Sequence, residues 1–319
     1  MKGVVIKSTG SWYQVRLIEE DLSSRIIQCR TVGKLRLDDL KLTNPVAVGD
    51  EVEVNLNEAN NEGTIKTVYT RKNYILRQST HKKHDMHLMA SNIDQVLLIT
   101  TIVEPNLKIG FVDRFLLLTE PRDIPTTIII NKVDLIKHEK DVLLLDTITT
   151  AYRQMGYDVI HTSVVSQDGL EHLKAAMHNK ISMISGHSGV GKSSLVNMIQ
   201  PNLDIRVGDI SNYSGKGQHT TTFAEMHDLD FGGKIIDTPG IKSLAFNNME
   251  IMDVAHNFRD FFAISQQCRF GGNCTHRNEP KCAVKEGVVE GEIPEWRYQN
   301  YLQIVDEIEN QNYWEIHKD

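Results

Sequence analysis

The sequence predicts an α/β protein: a doubly wound parallel sheet carrying a phosphate-binding loop, with a small β-barrel before it and a helical, metal-stapled domain after it. Three observations lead there. From about residue 91, continuous apolar strands alternate with amphipathic helices. Between one such strand and the next helix stands a glycine-rich loop, Gly186 to Ser193. Beyond residue 246, three of the four cysteines and a histidine cluster in an otherwise helical stretch.

Bulk composition sets the frame. At about 150 residues per domain, 319 residues suggest two or three domains. With 40% hydrophobic and 24% charged residues, a disordered, collagen-like or fibrous chain is excluded. No apolar run approaches the ~18 residues of a membrane helix. Lys7 breaks the first apolar run too early for a secretory signal, so a cytoplasmic protein with no membrane contact is expected. The net charge of −7 is uneven. Residues Glu286 to Asp319 hold nine acidic side chains against Arg297 and Lys318, and so account for all of it. Residues Lys66 to His87 hold six Lys or Arg against one Asp.

Residues 1–68 read as short strands: Gly3–Lys7, Trp12–Ile18, Ile26–Cys29 and Glu51–Asn55. Strands this short and close suggest a five-stranded barrel of the OB type, a fold that often binds oligonucleotides and also serves as a docking module. Residues 69–90 form a basic connector. Its Arg71, Lys72, Arg77, Lys82 and Lys83 suit phosphates, and Tyr69 and Tyr74 suit stacked bases; a solvated linker is the alternative.

The α/β unit, residues 91–245, opens with a buried strand at Gln95–Val103 and a helix at Val112–Leu118. A second strand, Thr126–Ile130, precedes a helix at Asp141–Met155. A third strand, Asp158–His161, precedes a helix at Leu170–His178. The fourth, Ile181–Ser185, runs into Gly186, His187, Ser188, Gly189, Val190, Gly191, Lys192 and Ser193, followed by Ser194 and a helix to Ile199. This is G-x-x-x-x-G-K-[ST] in its required strand–loop–helix context. Its backbone amides would curl around phosphates, Lys192 would reach the β- and γ-phosphates, and Ser193 would ligate Mg²⁺.

Asn131, Lys132 and Asp134 form Asn-Lys-x-Asp directly after the second strand. A carboxylate there can accept from N1–H and the exocyclic amine of guanine, which selects GTP over ATP. Ser163, ending the third strand, is placed for a second guanine contact. Asp237-Thr-Pro-Gly240 ends the strand Lys234–Asp237. Asp237 would hold Mg²⁺ through water and Gly240 would meet the γ-phosphate; an ordinary turn is the alternative. Between these motifs, Tyr213 to Thr222 suggests a mobile loop whose Thr220 or Thr221 completes the Mg²⁺ shell. Ile241 stands where Ras-like GTPases place a water-orienting Gln, and His219 is the nearby imidazole able to take that role.

The motif order is unusual, because Asn131–Asp134 precedes the phosphate loop. The same sheet forms if its original ends are joined and new ends opened elsewhere, a circular permutation. The segment after Asp237-Thr-Pro-Gly240, which moves with nucleotide state, then leads directly into the C-terminal domain, residues 246–319. There Asn248–Ser265 and Trp296–Asn310 look helical. Cys268, Cys274, His276 and Cys282 supply a closed tetrahedral set for one structural Zn²⁺.

Taken together, these motifs resemble the ribosome small subunit-dependent GTPase A (RsgA) family, over essentially the whole chain. The resemblance implies a circularly permuted P-loop GTPase domain between an OB-type barrel and a zinc-binding helical domain. It implies GTP hydrolysis stimulated by the small (30S) ribosomal subunit, a role in late maturation of that subunit, and rRNA contact through the barrel and zinc domain. It implies catalysis by His219, with GTP or GDP, Mg²⁺ and Zn²⁺ as ligands of a monomer. Gln218 and Val164 stand where the family carries arginine and alanine. The alternative reading is a GTP-gated switch or placeholder on the ribosome, in which hydrolysis serves only release.

Overall fold

The computed structural model describes residues 1–18, 24–31, 42, 44–57, 60–78, 86–203, 224–238, 244, 246 and 249–316. Five strands come first: β1 (Lys2–Ser8), β2 (Tyr13–Ile18), β3 (Ser24–Thr31), β4 (Glu51–Asn57) and β5 (Glu62–Val68). Alternation decides their faces. Tyr13, Val15 and Leu17 are buried, while Gln14 and Arg16 between them are not. The strands run β1-β2-β3-β5-β4, with β3 and β5 parallel, and β4 returns to pair with β1. That closure makes the expected five-stranded barrel, filled by Val5, Tyr13, Val15, Leu17, Ile27, Val52, Val54 and Ile65. Cys29 also lies in this core, and burial pushes its thiol up to about 11.

Residues 69–90, expected as a connector, contain a hairpin of β6 (Tyr74–Gln78) and β7 (Met86–Ser91). Two of its cations pair with carboxylates. Arg71 Nε and Nη2 donate to the two carboxylate oxygens of Asp50 at 2.6 and 2.7 Å. Asp50 is fully buried and also accepts from the Ala47 amide and the Ser91 hydroxyl. Lys72 pairs with Asp94 at the surface. Tyr74 lies under the Arg122 guanidinium, 4.7 Å from its ring centre. Lys82 and Lys83 lie outside the described residues.

The α/β unit follows the expected alternation: β8 (Gln95–Thr101), α1 (Ile109–Thr119), β9 (Thr126–Asn131), α2 (Glu139–Gln154), β10 (Asp158–Thr162), α3 (Leu170–Met177), β11 (Ile181–Gly186), α4 (Lys192–Ile199), β12 (Glu225–Asp228) and β13 (Lys234–Asp237). Strand order is β10-β9-β8-β11-β13-β12, parallel except for β12. Val96 and Leu98 pack with α1 and α2 on one face, and Leu97 and Ile99 with α3 and α4 on the other. Both faces are covered, which is why β8 and β9 are apolar without alternation. The short β12 also pairs with β1 at Lys7↔Glu225, so sheet and barrel are continuous. Ion pairs from Lys7 to Glu225 and from Arg16 to Asp228 flank that seam.

Among the described residues, four α-helices follow: α5 (Ile251–Asn257), α6 (Arg259–Ser265), α7 (Ala283–Glu290) and α8 (Glu295–Ile316). The expected helix at Asn248–Ser265 is two. Phe258 breaks it by taking an extended backbone, and its ring is fully buried. Tyr301, Ile304, Val305 and Ile308 give α8 one buried stripe that joins the same core as α1 and α2. The acidic terminal segment is therefore docked helix over its described side chains. Among the described residues, no helix is long and apolar enough to cross a membrane.

Replacing Arg71 by Met leaves a buried carboxylate without its cation, so chemical denaturation should show a loss of about 3–5 kcal/mol. Lys72→Ala at the exposed pair should cost under about 1 kcal/mol.

Candidate functional site

Strands β8, β9, β10, β11 and β13 are parallel, so their following loops meet at one edge of the sheet. Chain direction across the sheet reverses between β8 and β11, and ligands of open α/β sheets bind at such a point. The loop after β11 is Gly186–Gly191, and α4 begins at Lys192. Gly191 sits at φ +90°, and a Cβ there would fall 2.5 Å from Asn131 Nδ2. Only glycine fits both the turn and that approach. The N-terminus of α4 then faces the loop's concavity, a geometry suited to an anion.

Asn131 ties three segments together. Its Nδ2 donates to the Val190 carbonyl at 2.9 Å, and its Oδ1 accepts from the Thr162 hydroxyl at 3.0 Å. Lys132 adopts φ +63° and donates from Nζ to the carbonyls of Glu104 and Gly189, both at 2.8 Å. Asp134 accepts from the Ser163 hydroxyl, and Ser163 Oγ accepts from the amides of Val165 and Ser166. The expected carboxylate and serine therefore stand side by side.

Lys192 Nζ donates to the Gly186 and His187 carbonyls at 2.9 and 2.7 Å. Burial lowers its pKa, and the nearby Asp237 carboxylate opposes that shift. A polyphosphate in the loop would stabilise the charged form further. Register places Asp237 beside Ile184, just before the loop, and Thr238 Oγ1 donates to the Ile184 carbonyl at 3.0 Å. Ser193 and Ser194 occupy the first turn of α4. A hydroxyl and a carboxylate on adjoining elements form a donor set suited to a hard cation. The His187 ring centre lies 3.8 Å from that of Phe111. Burial, then the charges of Lys108 and Lys192, lower its pKa.

Asn131, Lys132, Asp134, Ser163, Gly186 to Ser194 and Asp237 thus gather around one edge. His219, Thr220, Thr221 and Gly240, with Gln218 and Ile241, lie outside the described residues. Sequence reasoning missed Thr162, Phe111 and the carbonyl of Glu104. A hydroxyl at the last position of β10 was the readable signal for Thr162. Nothing local marked the other two.

The second cluster stands in the C-terminal helices. Cys268, Cys274, His276 and Cys282 are all buried, with ligand atoms within 4.8 Å of one another. Cys268 Sγ lies 3.9 Å from Cys282 Sγ and 3.7 Å from His276 Nδ1, and His276 Nδ1 lies 3.4 Å from Cys282 Sγ. Metal–sulfur bonds of about 2.3 Å and metal–nitrogen bonds of about 2.0 Å give tetrahedral edges of about 3.8 and 3.5 Å, so the set fits one four-coordinate ion. Burial pushes the Cys274 thiol up to about 12 and raises Cys282, while it holds His276 down to about 4. Tyr301 and Tyr298 of α8 donate to the carbonyls of Thr275 and His276, pinning the loop to the helix.

Comparison with known proteins agrees with this fold. The RsgA N-terminal domain family matches residues 2–65, and the RsgA GTPase family matches residues 68–247. A Christiangramia forsetii protein, small ribosomal subunit biogenesis GTPase RsgA, is 46% identical over 98% of both chains. Its namesake from Flavobacterium psychrophilum is 44% identical over 96% of this chain and 93% of its own. The crystal structure of YjeQ from Thermotoga maritima superposes with a TM-score of 0.74 at 34% identity, covering 96% of this chain and 98% of that one. That of YloQ, a circularly permuted GTPase, gives 0.72 at 32% identity over 97% and 95%. The chain belongs to the RsgA GTPase family.

Proposed function

We propose that the chain hydrolyses GTP during biogenesis of the small ribosomal subunit, stimulated by that 30S subunit and in contact with its rRNA. The observation that carries the GTPase reading is the meeting of Asp134 and Ser163 with the Gly186–Ser193 loop across Asn131. Relatives similar over nearly the whole chain, named for small ribosomal subunit biogenesis, support the setting.

In this reading, Asp134 accepts from N1–H and the exocyclic amine of guanine, and Ser163 holds that carboxylate in place. Lys192 leaves the loop carbonyls for the β- and γ-phosphates. The amides of Ser188 to Ser194 line the phosphates, with the α4 N-terminus behind them. Ser193 and, through water, Asp237, together with Thr220 or Thr221, would hold Mg²⁺, which would neutralise charge gathering on the phosphates. Gly240 meets the γ-phosphate. His219 orients the attacking water, since Ile241 cannot. Zn²⁺ is the ion we assign to the Cys268, Cys274, His276 and Cys282 set, closed by protein ligands and structural in role. Domain limits near 68, 90 and 245 fit this division, with a cytoplasmic monomer as the working form.

The direct experiment compares GTP and ATP turnover with and without purified small subunits, for wild type and His219→Ala. Turnover of GTP alone, raised by subunits and lowered about 100-fold or more in kcat by the substitution, is expected. Equal ATP turnover would contradict the reading.

Asp134→Asn replaces an acceptor with a donor, and should move preference from GTP to xanthosine triphosphate by about 100-fold or more. Binding competition with the two nucleotides checks this; an unchanged preference removes Asp134 from the base site.

Metal binding at the cysteine set must displace protons from thiols whose pKa is raised by burial. Affinity should therefore fall as pH falls. Elemental analysis should find one zinc per chain at pH 8, with release to a chelator much faster at pH 5.5. Zinc-free protein at pH 8 would overturn the assignment.

A further inference from the structure

Helix α1 touches the phosphate loop on one side and the C-terminal helix α8 on the other. Phe111 and Asp113 are two residues apart, about 200° around the helix, and so face opposite ways. Phe111 meets His187 with ring centres 3.8 Å apart and planes inclined by 40°. Asp113 is fully buried and accepts from Arg297 Nη1 at 2.5 Å, Asn300 Nδ2 at 2.6 Å and Tyr152 Oη at 2.8 Å. Arg297, equally buried, lies 4.0 Å over the Phe258 ring and donates to Asp260 at 3.0 Å.

The grip of α8 is wider than that one pair. Arg114, next in sequence, makes a two-pronged pair with Glu307. Asn300 Oδ1 lies 3.3 Å from where a Cβ on Gly110 would stand. The loop leading into α1 is tied to the nucleotide motifs as well. Glu104 accepts from Lys132, which also holds Gly189, and Pro105 lies against Gly189. A packed helix of 11 residues moves as one body, so α8 cannot shift without displacing Phe111 or tearing a buried charge pair.

We propose that Phe111 is a positioning residue for the phosphate loop, and that α8 sets its place through Arg297, Asn300 and Asp113. Engagement of the C-terminal domain by a partner is thereby read as a change in nucleotide affinity. This route is separate from the segment after Asp237-Thr-Pro-Gly240, and it rests on the nucleotide site proposed above. Coupling of this kind is reciprocal: nucleotide in the loop alters the set of α8 by the same factor.

The test is a double-mutant cycle on the full-length chain, with Phe111→Leu and Asn300→Ala. Asn300→Ala removes one donor from Asp113 and leaves the Arg297 pair intact. Fluorescent GDP binding and the ring-proton NMR signal of His187, assigned with His187→Gln, are the two readouts. Each single change should weaken GDP by about fivefold or more. The double change should be no worse than the stronger single, because both act through one helix. Phe111→Tyr, which keeps the ring, should bind as wild type. Asn300→Ala should also move the His187 signal, although it contacts the opposite side of α1. Multiplicative losses, or an Asn300→Ala protein with reduced melting temperature but unmoved affinity and His187 signal, would overturn the proposal. If Phe111→Leu fails to fold, the His187 signal in Asn300→Ala decides alone. Absence of GDP binding in wild type would remove the nucleotide reading, and the NMR arm would still test the α1 link.

Discussion

One buried amide side chain holds the nucleotide edge together. Asn131 reaches across the ends of three strands, bonding the Val190 carbonyl in the loop after β11 and the Thr162 hydroxyl at the end of β10. Together the two bonds require the ends of β9 and β10 and the loop after β11 to meet at one edge. Both donors and acceptors are buried, so leaving one unpaired costs about 1–3 kcal/mol. Lys132 extends the tie to Gly189 and Glu104, and Ser163 extends it to Asp134. Position in space, rather than order in sequence, decides these contacts. That is why a chain presenting Asn131 before Gly186 builds the same site as one presenting them in reverse.

Opening the chain at a new place has consequences for the neighbours. The barrel is joined to the sheet through β12 and β1, and the C-terminal helices share a core with α1 and α2. The cluster of Cys268, Cys274, His276 and Cys282 lies within that shared core, beside Phe261 and Tyr301. A metal there would hold loops that no helix otherwise closes, a common use of metal in small domains. Glu279 serves the same loop. Despite burial, which opposes it, hydrogen bonds from Thr275 and the local amides hold its carboxyl down to about 2. That contribution is complete above the unfolded carboxyl pKa of about 4.3 and is lost as pH falls toward the folded value.

Much of this was legible in the sequence where a local pattern carried the physics. Buried parallel strands read as apolar runs, the phosphate loop as spaced glycines before a lysine, and the metal set as three cysteines with a histidine. What escaped was held by partners far along the chain. β12 is the polar Glu-Met-His-Asp, a strand only because β13 and β1 flank it. The charge-rich stretch after residue 68 read as a basic connector, yet Arg71 closes a buried pair with Asp50 and the hairpin follows. The break at Phe258 divides a segment with continuous helical character. Arg297 and Asp113, 184 positions apart, give no local sign of each other.

The account stands on guanine at Asp134 and phosphate at the Gly186–Ser193 loop being one site. The most direct measurement is a crystal structure of the full chain with GDP and Mg²⁺. It should show the base edge within hydrogen-bond distance of Asp134, Ser163 behind that carboxylate, and the β-phosphate cradled by the loop with Lys192 turned onto it. A nucleotide bound with its base away from Asp134, or its phosphates away from Lys192, would contradict the account.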